Sequence, residues 1–140
     1  MSGLPNGLYQ FEALKTTRHL ADFNGLLAAA RETDTTAAMR TWRLANADDG
    51  TVTLACVGSG RYLSLADKDG FYYTLSADPE PWRLGPTPDG NWELIRAAND
   101  RRLWLSGIHF LDQTPVIQQG VDSQHDILPT LWAAADVAGS

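Results

Sequence analysis

The chain has 140 residues, of which 44% are hydrophobic and 20% are charged, and its formal net charge is −6. This length and composition are those of one folded domain and exclude an intrinsically disordered chain. The Lys and Arg residues are scattered along the acidic chain. Nucleic acid is therefore not expected as a partner, because phosphate binding requires clustered cations.

Three dipeptides that favour turns divide the chain into units of similar length. They are Asn6-Gly7, Asp49-Gly50 and Asp89-Gly90. Asn-Gly and Asp-Gly predict tight hairpin turns, because both residues of the dipeptide tolerate a positive φ at low cost. After each turn the apolar residues recur at every second position, which is the pattern of a half-buried strand. The apolar positions are Tyr9 and Phe11, Val52 and Leu54, and Trp92 and Leu94.

Each unit continues with a leucine thirteen residues after its glycine and closes on a tryptophan. The leucines are Leu20, Leu63 and Leu103, and the tryptophans are Trp42, Trp82 and Trp132. Short strands at regular spacing predict a sandwich or a barrel, and the threefold repeat favours a closed barrel with pseudo-threefold symmetry. We therefore predict one all-β domain over residues 1–140, with repeats at approximately 7–46, 47–86 and 87–135.

Evidence for helix is confined to the Ala-rich segment 28–32. This segment corresponds to the third strand and following loop of the other units. We therefore predict strand and loop there.

Few residues of the chain suggest catalysis. Cys56 is the single cysteine and lies in an alternating segment, which predicts a buried thiol and no disulfide. The three histidines lack the spacing of a metal site, and no phosphate-binding loop, nucleophile elbow or His-Glu-x-x-His motif is present. We predict a non-catalytic protein without metal or cofactor, and keep an enzyme on the same scaffold as an alternative.

The combination of Trp-Arg-Leu, Asp-Gly, an alternating strand and Gly-Arg-Tyr-Leu-Ser-Leu (60–65) resembles the ricin-B-like β-trefoil superfamily over residues 7–132. The resemblance implies a β-trefoil in which each of three pseudo-symmetric units supplies four strands. Three hairpins would form the barrel and three would cap it, with the three tryptophans in the common core. It also implies a lectin-like protein that binds carbohydrate.

In these lectins the sugar site lies beside the hairpin of the second and third strands. A carboxylate there accepts hydrogen bonds from sugar hydroxyls, and an aromatic ring stacks on the apolar sugar face. The matching segments contain Asp22, Phe23 and Asn24 in the first unit, Asp67, Asp69, Phe71 and Tyr72 in the second, and His109, Phe110 and Asp112 in the third. These residues also fit purely structural roles as turn acids and core rings, and for the first unit we favour that interpretation. The second unit alone combines two acids, two rings and a glycine turn at Gly70, so it is predicted to hold the dominant site.

Two departures from the lectin pattern alter this expectation. The family has a Gln two residues before each closing Trp and an Asp directly after the second-strand Leu. The first position holds Arg40, Glu80 and Thr130 here, and the second holds Ala21, Ser64 and Trp104. Any sugar site would therefore use shifted residues in place of the usual galactose site.

Two other trefoil groups provide alternatives. The opening Asn-Gly-Leu-Tyr-Gln-Phe (6–11) resembles the first strand of fungal mycocypin-type protease inhibitors, which are small, acidic and free of disulfides. That resemblance implies a protease as partner, with candidate loops at 15–18, 78–81 and 112–131. Tyr-Leu-Ser followed by Asp-Gly is also similar to fascin-like actin-binding trefoils, although the chain lacks the basic patch that acidic filaments require.

The sequence also suggests a cellular location. The first twenty residues contain no basic segment followed by an apolar run, and the chain contains no Asn-x-Ser/Thr sequon. No apolar stretch approaches the ~18 residues that span a bilayer, so membrane insertion is not expected. We expect a cytoplasmic monomer or weak homodimer, although export by an unconventional route would leave the same record.

Overall fold

The computed structural model describes residues 3–13, 18–23, 26–67, 73–98, 104–111, 114–118 and 132–137. Apart from two single-turn 3-10 helices, the regular secondary structure of this part of the chain is β-strand. The strands are β1 (Gly7–Ala13), β2 (Arg18–Phe23), β3 (Leu26–Ala30), β4 (Trp42–Asn46), β5 (Val52–Cys56), β6 (Tyr62–Asp67), β7 (Tyr73–Ser76), β8 (Trp82–Pro86), β9 (Trp92–Arg96), β10 (Trp104–Leu111), β11 (Thr114–Gln118) and β12 (Trp132–Asp136).

Two single-turn 3-10 helices, Glu32–Asp34 and Ala38–Arg40, lie between β3 and β4. Ala28, Ala29 and Ala30 of the Ala-rich segment thus belong to a strand, as predicted, whereas Glu32 begins a 3-10 turn where a loop was predicted. Among the described residues, no helix has the length and apolar character needed to cross a membrane.

Six strands close into a barrel. Antiparallel pairs join β1 to β4, β4 to β5, β5 to β8, β8 to β9, β9 to β12 and β12 back to β1. Closure leaves none of these strands with an unpaired edge. The other six strands form the hairpins β2–β3, β6–β7 and β10–β11, and β3 also pairs with β7 and β11. This arrangement is the predicted β-trefoil, with a barrel and a cap of three hairpins.

The strand register places the three tryptophans at equivalent backbone positions. Trp42 lies opposite Tyr9 and Cys56, Trp82 opposite Val52 and Arg96, and Trp132 opposite Trp92 and Ala13. Each tryptophan therefore has two register partners. One partner is the second residue after the glycine of one unit, and the other is the sixth residue after the glycine of the next unit. The side chains of Trp42 and Trp82 are completely buried, which confirms the predicted core role for these two. The side chain of Trp132 lies outside the described part.

Both buried tryptophans make the same hydrogen bond. The indole Nε1–H of Trp42 donates to the Leu20 carbonyl at 2.9 Å, and that of Trp82 donates to the Leu63 carbonyl at 2.9 Å. A buried indole N–H requires an acceptor, and these leucines belong to the cap strands β2 and β6. The repeated Leu and Trp of the sequence therefore join the cap to the barrel.

Alternating residues of the barrel strands form the core, and every second residue of β4 and β5 is buried. The buried hydrophobic residues are Tyr9, Phe11, Leu20, Ala21, Leu27, Ala30, Trp42, Leu44, Val52, Leu54, Cys56, Leu63, Leu75, Trp82, Leu84 and Leu94. Cys56 is 1% exposed and its Sγ contacts the Met39 carbonyl at 3.3 Å. The predicted buried thiol is confirmed.

Two of the three predicted turns are present. Gly50 and Gly90 have φ values of 86° and 83°, within the turns that join β4 to β5 and β8 to β9. Gly7 has no positive φ and begins β1, so the hairpin turn predicted at Asn6-Gly7 is wrong. The physical reason is topological, because the strand that pairs with β1 at this place is β12, at the other end of the chain.

Candidate functional site

The predicted sugar-binding residues belong to three different cap hairpins. Asp22 lies on β2, Asp67 on β6 and His109 on β10. The fold therefore separates them into three groups, one for each unit. The side chains of Asp67, His109, Phe23 and Phe110 lie outside the described part, as do the residues Asn24, Asp69, Phe71, Tyr72 and Asp112.

Asp22 and Asp67 occupy matching places in their hairpins. Asp22 pairs with Leu27, and Asp67 pairs with Tyr73. In the first unit a further pair follows Asp22, and only residues 24–25 connect the two strands. In the second unit the described part of β6 ends at Asp67, and the five residues 68–72, which lie outside the described part, separate it from β7. The second hairpin thus has the longer connecting segment, and the acids and rings predicted to bind sugar lie in and beside it.

The second hairpin also contains a break in register. In β6 the pair of Leu63 with Leu75 is followed by the pair of Ala66 with Thr74, so two residues of β6 are left between the pairs. A bulge of this kind bends a strand and increases its twist, and bulges are frequent next to functional sites. The first of the two extra residues, Ser64, is buried and has an interaction partner.

The third hairpin also contains a register break. It lies between Leu105 and Phe110, and His109 is among the residues within it. The second and third hairpins therefore both depart from the regular pairing that β2 and β3 keep.

Asp22 is in a different environment from a ligand-binding acid. It is 4% exposed, follows the buried Leu20 and Ala21, and has an interaction partner within the protein. A buried carboxylate is retained where it is hydrogen-bonded or paired. This burial is consistent with the structural role that the sequence favoured for the first unit.

Two of the residues that replace the lectin Gln, Arg40 and Glu80, make contacts within the protein. Glu80 Oε1 accepts a hydrogen bond from Arg96 Nε at 2.6 Å, and both side chains are mostly buried, at 15% and 23% exposure. Arg40 Nη1 donates to the Thr35 carbonyl at 3.2 Å. The Glu80–Arg96 pair was not predicted from the sequence. The available signal was the opposite charge of Glu80, two residues before Trp82, and Arg96, which lies opposite Trp82 in the strand register.

One of the three candidate inhibitory loops, 78–81, lies within the described residues. The Asp78 amide donates to Ser76 Oγ at 3.0 Å, and the Ala97 amide donates to the Pro81 carbonyl at 3.3 Å. Asp78 and Pro79 are exposed between these two attachments. Residues 15–17 of the first loop, and 112–113 and 119–131 of the third, lie outside the described part.

The described residues contain no group of three His, Cys, Asp or Glu side chains that could hold a metal ion.

No protein-family model and no curated protein sequence matches the chain. Solved structures do match. The Rhizoctonia solani agglutinin is 21% identical with a TM-score of 0.75, and the match covers 96% of this chain and 98% of that chain. The Macrolepiota procera ricin B-like lectin, solved in complex with lactose, is 17% identical with a TM-score of 0.74, covering 96% and 99%.

ThreeFoil, a designed 3-fold symmetric protein, is 21% identical with a TM-score of 0.74, covering 94% of this chain and 99% of that one. The matches extend over nearly the whole length of both chains in each of the three comparisons. At these identities a structural likeness establishes a fold and leaves the activity open. The closed six-stranded barrel, the three cap hairpins and these likenesses together show that the chain is a β-trefoil protein.

Proposed function

We propose that this β-trefoil is a non-catalytic glycan-binding protein whose dominant site is the β6–β7 hairpin. The observation that carries the proposal is the contrast between two hairpins. Residues 68–72 connect β6 to β7, whereas residues 24–25 connect β2 to β3. The longer connection follows Asp67 directly and contains Asp69, Phe71 and Tyr72.

The residue types of this segment suit a sugar. The carboxylates of Asp67 and Asp69 would accept hydrogen bonds from adjacent hydroxyls, and Phe71 or Tyr72 would stack on the C–H face of a pyranose ring. A charged hydrogen bond combined with one stacked ring corresponds to millimolar to high-micromolar affinity, about −4 to −6 kcal/mol.

Two further observations support the proposal. The agglutinin and the lactose-bound lectin share the fold over nearly their full lengths. In addition, the acid of the first hairpin, Asp22, is buried and has an interaction partner within the protein, which argues against a site at that hairpin. The replaced positions Ala21 and Ser64 favour a ligand other than the usual galactose.

A glycan array followed by titration of a positive glycan tests the proposal. Asp67→Ala should weaken binding about tenfold or more, the value of a hydrogen bond to a charged group. Asp78→Ala is the matched control, since Asp78 is an exposed acid of the same unit outside the hairpin, and it should bind like the wild type. Unchanged binding by Asp67→Ala, with a melting temperature like that of the wild type, would show that the site lies elsewhere.

The second candidate function is protease inhibition through the segment 78–81. Its exposed tip is attached at both ends, and two prolines restrict its backbone, which lowers the entropy lost when a loop enters a protease cleft. A panel of cysteine and serine proteases assayed alongside the array separates the two functions. Inhibition at nanomolar concentration together with an empty array would replace the glycan proposal with this one.

A further inference from the structure

A depression on the barrel wall lies between β1 and β4. It has a volume of about 350 Å³ and is lined by Asn6, Gly7, Leu8, Arg43, Leu44 and Ala45. Small-molecule sites in proteins begin at about this size. The lining includes one cation, Arg43, and no acidic residue. The Arg43 side chain is exposed and takes part in none of the side-chain hydrogen bonds or ion pairs formed among the described residues.

The pseudo-threefold symmetry provides an internal comparison for this arginine. Arg83 occupies the equivalent position, one residue after the tryptophan that opens β8. Asp49 and Asn6 are also equivalent, because each directly precedes the glycine of its unit. Arg83 is exposed but has an interaction partner within the protein.

The strand that follows each arginine strand also carries an acid near Arg83 and a neutral residue near Arg43. In β9, Glu93 lies opposite Gly85, and in β5, Thr53 lies opposite Ala45. Glu93 therefore lies diagonally across from Arg83, within reach of a long side chain, whereas the corresponding neighbour of Arg43 is neutral. The two acids near Arg83, Asp49 and Glu93, thus correspond to the uncharged residues Asn6 and Thr53 near Arg43.

We propose that the depression at Arg43 is a second ligand site, which binds the carboxylate of an acidic sugar such as a hexuronate. A guanidinium binds a carboxylate through two parallel hydrogen bonds, and none of the described residues that line the depression carries a carboxylate. Leu8 and Ala45 provide apolar surface for the C–H groups of a sugar ring, and Asn6 provides polar atoms at the edge. The site lies on strands other than β6 and β7, so it does not depend on the function proposed above.

The test is a titration of the isotopically labelled protein with sodium D-glucuronate, followed by the NMR shifts of the Gly7, Leu8 and Ala45 amides. D-Glucose and inorganic phosphate are titrated in parallel. We expect saturable, millimolar binding of glucuronate and no comparable binding of the other two. Absence of saturation at concentrations where a millimolar ligand would fill the site contradicts the proposal. Equal binding of phosphate contradicts it too, because it would show general attraction of anions to an arginine.

Three variants locate the site. Arg43→Ala should weaken glucuronate binding about tenfold, as expected for a charge-assisted hydrogen bond, while the symmetry-related Arg83→Ala should stay within about twofold of the wild type. Asn6→Asp should also weaken binding severalfold. Asn6 Oδ1 accepts from the Asn46 amide and from Asn46 Nδ2, both at 2.8 Å, and a carboxylate can accept the same two bonds, so this variant adds charge and keeps the contacts.

The outcomes separate this site from the hairpin site. Asp67→Ala should leave the glucuronate-induced shifts at Gly7 and Leu8 unchanged. If Arg43→Ala binds glucuronate as the wild type does, or if Arg83→Ala and Arg43→Ala weaken binding equally, the proposal is wrong.

Discussion

Replacing Trp82 by alanine tests the connection between barrel and cap. The side chain is completely buried, and its indole N–H donates to the Leu63 carbonyl at 2.9 Å. Removal of a buried aromatic side chain costs about 3–5 kcal/mol. The upper half of that range is expected, because the change also leaves the Leu63 carbonyl without its indole donor. A domain of this kind has a total stability of about 5–15 kcal/mol, so Trp82→Ala should remove a large share of it.

Urea denaturation followed by far-UV circular dichroism measures this loss. With a urea dependence of about 2 kcal/mol per molar, a loss of 4 kcal/mol lowers the midpoint by about 2 M. Trp92→Ala is the matched control, because Trp92 is only partly buried against the core, and its midpoint should fall less. A Trp82→Ala midpoint near that of the wild type would refute the core assignment.

Trp82→Phe separates packing from hydrogen bonding. Phenylalanine keeps most of the apolar ring but has no N–H for the Leu63 carbonyl. The expected loss is about 1–3 kcal/mol, the cost of leaving a buried acceptor unpaired. If Trp82→Phe costs nothing, the indole hydrogen bond does not join the cap to the barrel in the way described.

Three further predictions concern charge and turn geometry. Glu80→Gln should lower the free energy of unfolding by about 1–2 kcal/mol, because it removes the charge facing Arg96 in a mostly buried pair; an unchanged urea midpoint would contradict this. Hydrogen bonds from Thr51 lower the pKa of Asp49. Its carboxylate therefore stabilises the turn above its usual pKa and loses that effect as the pH falls through the lowered value, which NMR titration of the Asp49 carboxyl and Thr51 amide would detect or exclude. Gly90→Ala should cost about 1 kcal/mol from backbone strain alone, since φ is +83° and nothing lies within 4 Å of the added Cβ; thermal denaturation checks it.

The fold could be predicted because its signals are local and repeated. Gly50 and Gly90 mark real turns, and Trp42 and Trp82 lie in the core where the repeat placed them. The failure at Gly7 shows the limit of the same reasoning. A turn signal in the sequence does not reveal whether a strand precedes it, and here the partner of β1 comes from the far end of the chain.

The candidate site was less predictable than the fold. The sequence identified acids beside the hairpins, but it could not show how deeply Asp22 is buried. The position of such an acid along its hairpin depends on register, which the two-residue bulge in β6 changes without any strong sequence signal. The lack of a side-chain partner for Arg43 among the described residues depends on which neutral residues face it across two strands, which is a property of the assembled barrel.

The pairing of β12 with β1 has a consequence for protein engineering and for the evolution of longer chains. The Val137 amide donates to the Leu8 carbonyl at 2.9 Å, the bond that Ala47 makes to Thr51 and Thr87 to Asn91 inside the two hairpin turns. The start of β1 and the end of β12 therefore lie next to each other on the barrel. A short linker could join them and the Asp49–Gly50 turn could be opened, giving a circular permutant with the same barrel. The same geometry lets such a trefoil be inserted into a host loop without separating the ends of that loop.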